Sequence, residues 1–281
     1  DDGWRWETHE HSPEYRFISQ SVDSAEYYFA DPENVELEMK WTVEWLRSMF
    51  DQEDRAKVLC EVLGGMLRPD QYFKYFALLT GDTNSGKSTL LNAWRGTIGA
   101  DNTQGIEFHE LAEGDFESSE LFKRGGLMMN TGSDIEKRKL NRTSALKKLT
   151  SNDYTYHDVK HDSGFSGVAT ATQVHVANNA PVMDPDSGAV PERLKHLHFP
   201  YQFYARQSSK FDVDDEYIKE ADADIEEKLS RDGVRNALLL LALRGLNRLY
   251  DSDKTFSFDA GVDERWNNYI GRADTVGRFA T

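Results

Sequence analysis

Residues Gly81 to Ser88 read Gly-Asp-Thr-Asn-Ser-Gly-Lys-Ser, the residue types and spacing of a loop that cradles phosphates. Gly81 and Gly86 let backbone N–H groups approach a phosphate with no Cβ in the way. Lys87 can reach the β- and γ-phosphates of a nucleoside triphosphate, and the Ser88 hydroxyl can ligate Mg²⁺. The candidate nucleotide contacts are therefore Gly81, Asp82, Thr83, Asn84, Ser85, Gly86, Lys87, Ser88 and Thr89. Four further places carry potential chemistry. Asp134 and Glu136 follow a short apolar stretch, where an ATPase of this kind sets the acid that orients Mg²⁺ and the attacking water, and either acid suits that role. Lys160-His161 joins a cation to an imidazole, a pair suited to a sugar-phosphate backbone. Asn178, ahead of Asn179-Ala180-Pro181, offers an amide to a γ-phosphate or to the lytic water. Arg193 can serve as an arginine finger in a neighbouring subunit's site. Taken singly, these have plainer readings: a loop Lys-His pair, an Asn–Pro turn, a surface ion pair. Their order along the chain is the informative part.

Such groups need elements to hold them. Tyr75–Leu79 predicts a strand ahead of the loop, and Leu90, Leu91 and Trp94 predict a helix after it. Strand, turn and helix N-terminus together aim N–H groups and the helix dipole at a triphosphate. Leu127–Met129 predicts a strand, with Asn130-Thr131-Gly132-Ser133 between it and Asp134. Tyr154–Tyr156 and Ser166–Thr172 are β-like flanks of a hairpin with Lys160 and His161 at its tip. Thr172–Ala177 predicts a strand ending at Asn178, and Leu194–Phe199 alternates directly after Pro191-Glu192-Arg193. Strands alternating with helices from Phe73 to about Pro200 predict an α/β fold with a parallel sheet, whose ligands lie at the C-terminal edge of the strands.

The rest of the chain divides by composition. Residues 1–38 are polar and aromatic-rich without a period and read as a lead-in or linker; 39–72 read as helical; 73–200 form the phosphate-loop core; 201–281 form a C-terminal helical segment. Trp41, Trp45, Leu46 and Met49, then Val58, Leu59, Val62, Leu63 and Met66, recur at helical spacing and are expected in the core, with Pro69 closing the second helix. An acidic stretch, Asp212–Glu227, precedes a leucine-rich helix over Val234–Tyr250. The lone cysteine, Cys60, excludes an internal disulfide and a cysteine zinc site, and it is expected in the core. No apolar run reaches membrane-spanning length and no signal peptide is present, which predicts an intracellular protein. A net charge of −16 argues against coating DNA with the whole surface and leaves room for a basic channel. Between Lys123 and Lys148 eight basic residues, Lys147 and Lys148 among them, face two acidic ones, a local net of +6. That cluster suits phosphates, of nucleic acid or of a neighbour's nucleotide.

In this order the motifs resemble superfamily-3 helicases, particularly the helicase half of phage, plasmid and large-virus primase-helicases. The phosphate loop matches Gly81–Ser88. The acidic strand end is matched best by Asp134, with Glu136 in reserve. A Leu-Lys-x-Leu-Thr-x-x-Asp phrase is matched by Leu146–Asp153, the DNA-binding hairpin tip by Lys160-His161, the sensor asparagine by Asn178 and the arginine before the last strand by Arg193. Val58–Gly64 and Gly233–Leu246 resemble the helices that precede and close this module, so the likeness covers roughly Met39 to Tyr250. One departure is the four-residue interval before Asp134, since the family's acid follows its strand directly. The resemblance implies an AAA+-like parallel sheet flanked by helices, ATP and Mg²⁺ as cofactors, and Ser88 and Asp134 as metal contacts. It also implies single-stranded or forked DNA held by Lys160, His161, Lys147 and Lys148. The implied partners are further copies in a ring of six and a primase domain or partner.

Together these readings predict an ATP-driven, ring-forming DNA helicase or translocase for the replication of a virus, phage or plasmid. A kinase or GTPase is the first competitor, but no Asn-Lys-x-Asp guanine-reading motif occurs. The second is a nucleotide-gated initiation scaffold that assembles with little turnover; DNA-stimulated hydrolysis separates it from a motor.

Overall fold

The structure is a computed structural model that describes residues 32–68, 71–113, 119–122, 126–132, 139–140, 144–157, 164–183, 189–258 and 260–273. Two helices open it, α1 (Pro32–Ser48) and α2 (Glu53–Met66). The first helix thus begins at Pro32, seven residues before the expected start at Met39, because proline suits a first helical turn. Next come β1 (Phe76–Thr80) and α3 (Lys87–Ile98), then β2 (Thr103–Gln104) and β3 (Met129–Asn130). A short β4 (Lys139–Leu140) pairs with β8 (Val182–Met183); β5 (Thr155–His157) pairs antiparallel with β6 (Phe165–Gly167). The central strand β7 (Thr172–Ala177) and the edge strand β9 (Leu194–His198) follow, then a small parallel pair, β10 (Gln202–Tyr204) with β11 (Ile218–Glu220).

Five strands form one sheet in the order β2-β3-β7-β1-β9, and every pairing is parallel. An α/β fold with helices on both faces is what the alternation of elements predicts, and β1 and β7 are buried along their whole length, as such central strands must be. On one face Ala77, Leu79, Val174, Val176 and Leu197 pack with α2, α3 and the Asp232–Asp251 helix. On the other, Phe76, Leu78 and Leu194 meet Phe108, Leu146 and Tyr269, the last from the Val262–Ala273 helix. Cys60 lies in the first of these cores, and burial pushes its thiol up to about 11.

Connections from β1 and β7 leave in opposite directions, one toward the β2 edge and the other past β1 to β9. The crevice between their C-terminal ends is therefore the switch point of the sheet, where open parallel sheets bind ligands. Helices α2 and Asp232–Asp251 cross at a glycine pair. A Cβ on Gly64 would collide with Ala242 O and Leu246 N, and one on Gly245 with the Cys60 carbonyl. Glu61, fully buried beside this crossing, accepts from Ser257 N (2.8 Å) and Arg248 Nε (3.3 Å). Among the described residues, no helix is long and apolar enough to cross a membrane.

Candidate nucleotide site at the switch point

β1 ends at Thr80 and the chain turns back through a Ser85 N–H bond to Asp82 O (3.3 Å). Asn84 (φ 66) and Gly86 (φ 85) take left-handed backbone, which sets the N–H groups of Gly86 onward toward the crevice before α3 begins at Lys87. Asparagine tolerates that region and glycine has no penalty there. Lys87 is only 6% exposed; its ammonium reaches back across the loop and donates to Gly81 O (2.6 Å), Asp82 O (2.9 Å) and Ser85 Oγ (2.8 Å). Ser88 and Thr89 sit in the first turn of α3, Ser88 exposed. A cavity of about 430 Å³ is lined by Thr83, Asn84, Ser85, Gly86, Lys87, Ser88 and Thr89 from this loop and by Val176, Ala177 and Asn178 from the end of β7. The structure thus brings Asn178 into the loop's own cavity, because Ala177 is registered against Thr80.

The stretch before Asp134 differs from its sequence reading. Met128 N bonds Asn102 O (2.9 Å), Thr131 N bonds Gln104 O (2.9 Å) and Val176 N bonds Gly132 O (3.2 Å), so ladder bonding runs on from β3 to Gly132. Asn130 and Thr131 are buried despite being polar, and the Asn130 amide is satisfied by Ile106 O and Gln173 Oε1. Only Ser133 separates this ladder from Asp134, instead of four residues. Asp134 and Glu136 themselves lie outside the described residues. His175, on β7, accepts from Gly132 N at Nδ1 (3.2 Å), packs on Phe108 and is pushed down to about 3 by burial.

Arg193 sits elsewhere. It ends the Ala189–Arg193 helix at the N-terminal edge of the sheet, beside Leu194, whose register partner is Phe76. Five strand residues, roughly 16 Å at strand rise, separate that edge from the loop after Thr80. Its Nη1 donates to Lys147 O (2.8 Å) and Thr150 Oγ1 (2.9 Å), closing the end of the Ser144–Leu149 helix. Lys147 is half-buried and Lys148 exposed on that helix. From it the chain runs into the β5–β6 hairpin, with Tyr156 registered opposite Ser166. The second flank is shorter than its sequence suggests, since β6 stops at Gly167 and Thr172 already belongs to β7. Lys160 and His161 lie outside the described residues.

Sequence reasoning missed the backing of the loop. Phe203 N donates to Asn84 O (2.9 Å), the Gln202 amide to Thr83 O (3.0 Å), and Phe199 N to Thr80 O (2.7 Å). The acidic stretch that follows is ordered by Asp side chains that accept from backbone N–H two residues on, at Asp212, Asp215 and Asp222. Sequence also placed Trp41 and Trp45 in the core. Both are half-buried and pack against the first core as expected, but they also stack parallel at 6.1 Å and line a second cavity of about 510 Å³ with Met49, Phe203, Ile225, Glu44 and Glu220. This cavity shares Asn84, Gly86 and Thr89 with the first, so the two meet across the loop. No cluster of three or more His, Cys, Asp or Glu suited to a metal occurs among the described residues. An exposed Ser88 hydroxyl at the phosphate cavity fits Mg²⁺, which takes few protein ligands and completes its shell with water and phosphate.

A family model described as a family of unknown function (DUF5906) matches residues 79–193, from the end of β1 to Arg193. No curated protein matches the chain. The A-form apo structure of the NrS-1 C-terminal region is similar with a TM-score of 0.52 at 11% identity, over 87% of this chain and 51% of that one. A second apo structure of that region gives 0.49 at 13% identity, over 79% and 50%. JCV helicase with a bound thiazolopyridine gives 0.38 at 16% identity, over 90% and 64%. The first of these likenesses is one of fold, and the chain spans about half the length of that structure.

Proposed function

We propose that this chain is the ATP-hydrolysing module of a ring-forming DNA helicase or translocase, a hexamer serving replication of a virus, phage or plasmid. One observation carries the reading. The phosphate loop and Asn178 share a cavity at the C-terminal edge of the sheet, whereas Arg193 stands at the opposite edge. A chain built this way holds most of a hydrolytic site and can complete only a neighbour's.

In this reading the triphosphate lies against the loop's N–H groups, and the Lys87 ammonium exchanges its loop carbonyls for phosphate oxygens. Ser88 and Asp134 would hold Mg²⁺, which would supply positive charge against that developing on the phosphate oxygens. Asn178 orients the attacking water, and the nucleoside enters the tryptophan-walled cavity that shares Gly86 and Thr89 with the phosphate site. Arg193 leaves Lys147 O and Thr150 Oγ1 for the adjoining subunit's γ-phosphate. The β5–β6 hairpin grips single-stranded DNA with Lys160 and His161, helped by Lys147 and Lys148. Tyr154 and Tyr156, 75% and 66% exposed, give bases an aromatic face to stack on.

Mixing two defective proteins tests the ring. Arg193→Ala protein is expected to bind ATP and hydrolyse it about 1,000-fold more slowly or worse, the range seen when an arginine finger is lost. Adding Lys87→Ala protein restores part of the turnover, because some mixed interfaces pair an intact loop with an intact arginine. No recovery at any ratio, with mixed assemblies confirmed by light scattering, would remove Arg193 from the neighbour's site. Engagement of Arg193 within its own chain favours the scaffold reading to a degree, and DNA-stimulated ATP turnover by the unmodified protein excludes it.

The two acids are separated by substitution. Asp134→Asn is expected to lose turnover by about 100-fold, in line with losing one transition-state contact, while keeping ATP binding. Glu136→Gln costs less than about fivefold on the same scale. Steady-state hydrolysis beside fluorescent-nucleotide titration gives the ranking, and the reverse order transfers the metal role to Glu136.

A further inference from the structure

On the far flank of β9 lies a cavity of about 540 Å³ that the motor reading does not use. Its walls come from β9, from the Val262–Ala273 helix and from the start of α2, and they carry three guanidiniums, Arg55, Arg265 and Arg272. Asp51 is the one carboxylate among its described lining residues. Such a concentration of positive charge is unusual in a chain of net charge −16.

Two of the arginines, Arg55 and Arg265, are positioned by ring contacts, whereas Arg272 is exposed at the rim. Arg55 and Arg265 both stand over the Phe258 ring, at 5.4 and 4.5 Å from its centroid, and Arg265 Nη1 donates to Ala260 O (2.8 Å). Burial and the neighbouring Arg55 charge both lower the Arg265 pKa, the mark of like charges held close. Arg272, two helical turns from Arg265 on the same face, makes no hydrogen bond or ion pair with any described residue. Asn268, between them in sequence, adds an amide to the lining. His196 and His198 complete the wall, and burial pushes them down to about 3 and about 4, with Arg272 contributing to both shifts. Both rings are therefore neutral near pH 7. His196 Nε2 and His198 Nδ1 lie 2.7 and 3.2 Å from Thr80 Oγ1, which leaves the second nitrogen of each ring for another partner.

We propose that this cavity is a second phosphate-binding site, distinct from the Gly81–Ser88 loop, and that it takes the phosphate groups of a nucleotide, of pyrophosphate or of a nucleic acid strand. Forked guanidiniums and neutral imidazoles match phosphate oxygens in geometry and charge, and bound phosphate relieves the repulsion between the arginines. Thr80 is the last residue of β1, so a ligand here touches the pair of histidines that hold the strand end from which the phosphate loop departs. The proposal does not depend on the motor reading.

Calorimetry on the full chain carrying Lys87→Ala, which disables the loop as a competing site, tests it with pyrophosphate at constant ionic strength. Saturable binding of one pyrophosphate per chain is expected, and adding Arg272→Gln weakens it about tenfold or more, as losing a charged contact does. Arg272 is exposed and makes no hydrogen bond or ion pair with a described residue, so this variant is expected to keep its fold, which its melting temperature without ligand verifies. Arg265→Gln is expected to act in the same direction. A (dT)20 arm separates the sources: displacement of pyrophosphate by the oligonucleotide identifies a nucleic acid strand, and undisturbed pyrophosphate identifies a free nucleotide or pyrophosphate. Absence of saturable binding, or binding unchanged by Arg272→Gln, overturns the proposal.

Discussion

Lys87→Ala protein is expected to fold normally, to bind ATP weakly and to hydrolyse it at least about 100-fold more slowly than the unmodified chain, the scale on which single transition-state contacts act. The Lys87 ammonium is nearly buried, and within its own loop it donates to two carbonyls and a hydroxyl. An ammonium held by such loop oxygens can exchange them for a triphosphate, whose charge it meets most fully as the γ-phosphoryl group leaves. Alanine removes that contact, and the freed carbonyls at the cavity mouth can turn to water, so the melting temperature changes little. Lys87→Arg is expected to fail as well, since a planar fork cannot enter a pocket shaped for a point charge. Malachite-green phosphate release beside nucleotide titration measures both effects. Unchanged hydrolysis in Lys87→Ala protein would end the phosphate-loop reading.

The largest effect on stability is expected at the crossing of α2 with the Asp232–Asp251 helix. In Gly245→Ala the new methyl meets Cys60 C and O and Glu61 N, all backbone, and Gly64 opposes Ala242 and Leu246 in the same way. No flexible side chain can give way, so the helices must part and loosen the apolar contacts of Val62, Leu63, Leu238 and Leu249. Overpacking costs about 1–3 kcal/mol, and a backbone-to-backbone clash belongs at the upper end. At about 2–4 °C per kcal/mol for a chain of this size, the melting temperature falls by roughly 6–12 °C. Gly96→Ala is the control. Its nearest neighbours are the ends of the Arg235 side chain at 3.5–3.7 Å, and alanine's helix propensity makes it neutral or stabilising by about 0.5–1 kcal/mol. Equal melting temperatures for the two variants would mean that the helix pair is not the tight contact described.

What was legible in the sequence follows from how local each cause is. The strand–loop–helix around Gly81–Ser88 declares itself because residue type and backbone conformation are tied within eight positions. β7 and β9 were legible as continuous or alternating apolar runs. The interval before Asp134 was misjudged because Asn130 and Thr131 are polar; the side chain of Asn130 is paid for by bonds to Ile106 and Gln173, distant partners that no local pattern announces. The Trp41–Trp45 stripe packs against the core as its period predicts, and period alone cannot say that its outer edge also walls a cavity. β10 and β11 escaped notice since three-residue strands ordered by Asp turns carry no measurable alternation. The two-glycine crossing was invisible for a related reason: a helical Gly marks a close approach only once its partner is known.

His175 gives the strand beside Asp134 a dependence on acidity. Because Gly132 N–H donates to Nδ1, the ring proton must reside on Nε2, which is buried with no hydrogen-bond partner among the described residues. A second proton would have to enter at Nδ1, against the Gly132 N–H. In the unfolded chain the same imidazole accepts a proton near its ordinary value of 6.5, whereas in the folded chain it refuses one until about 3. Unfolding between those limits therefore takes up a proton. The contribution of His175 is fully present above pH 6.5 and drains away as the solution is acidified toward 3. Acid thus attacks the fold at the ladder bond two residues ahead of Asp134 in sequence, so the proposed catalytic acid follows directly on the weak point of the sheet.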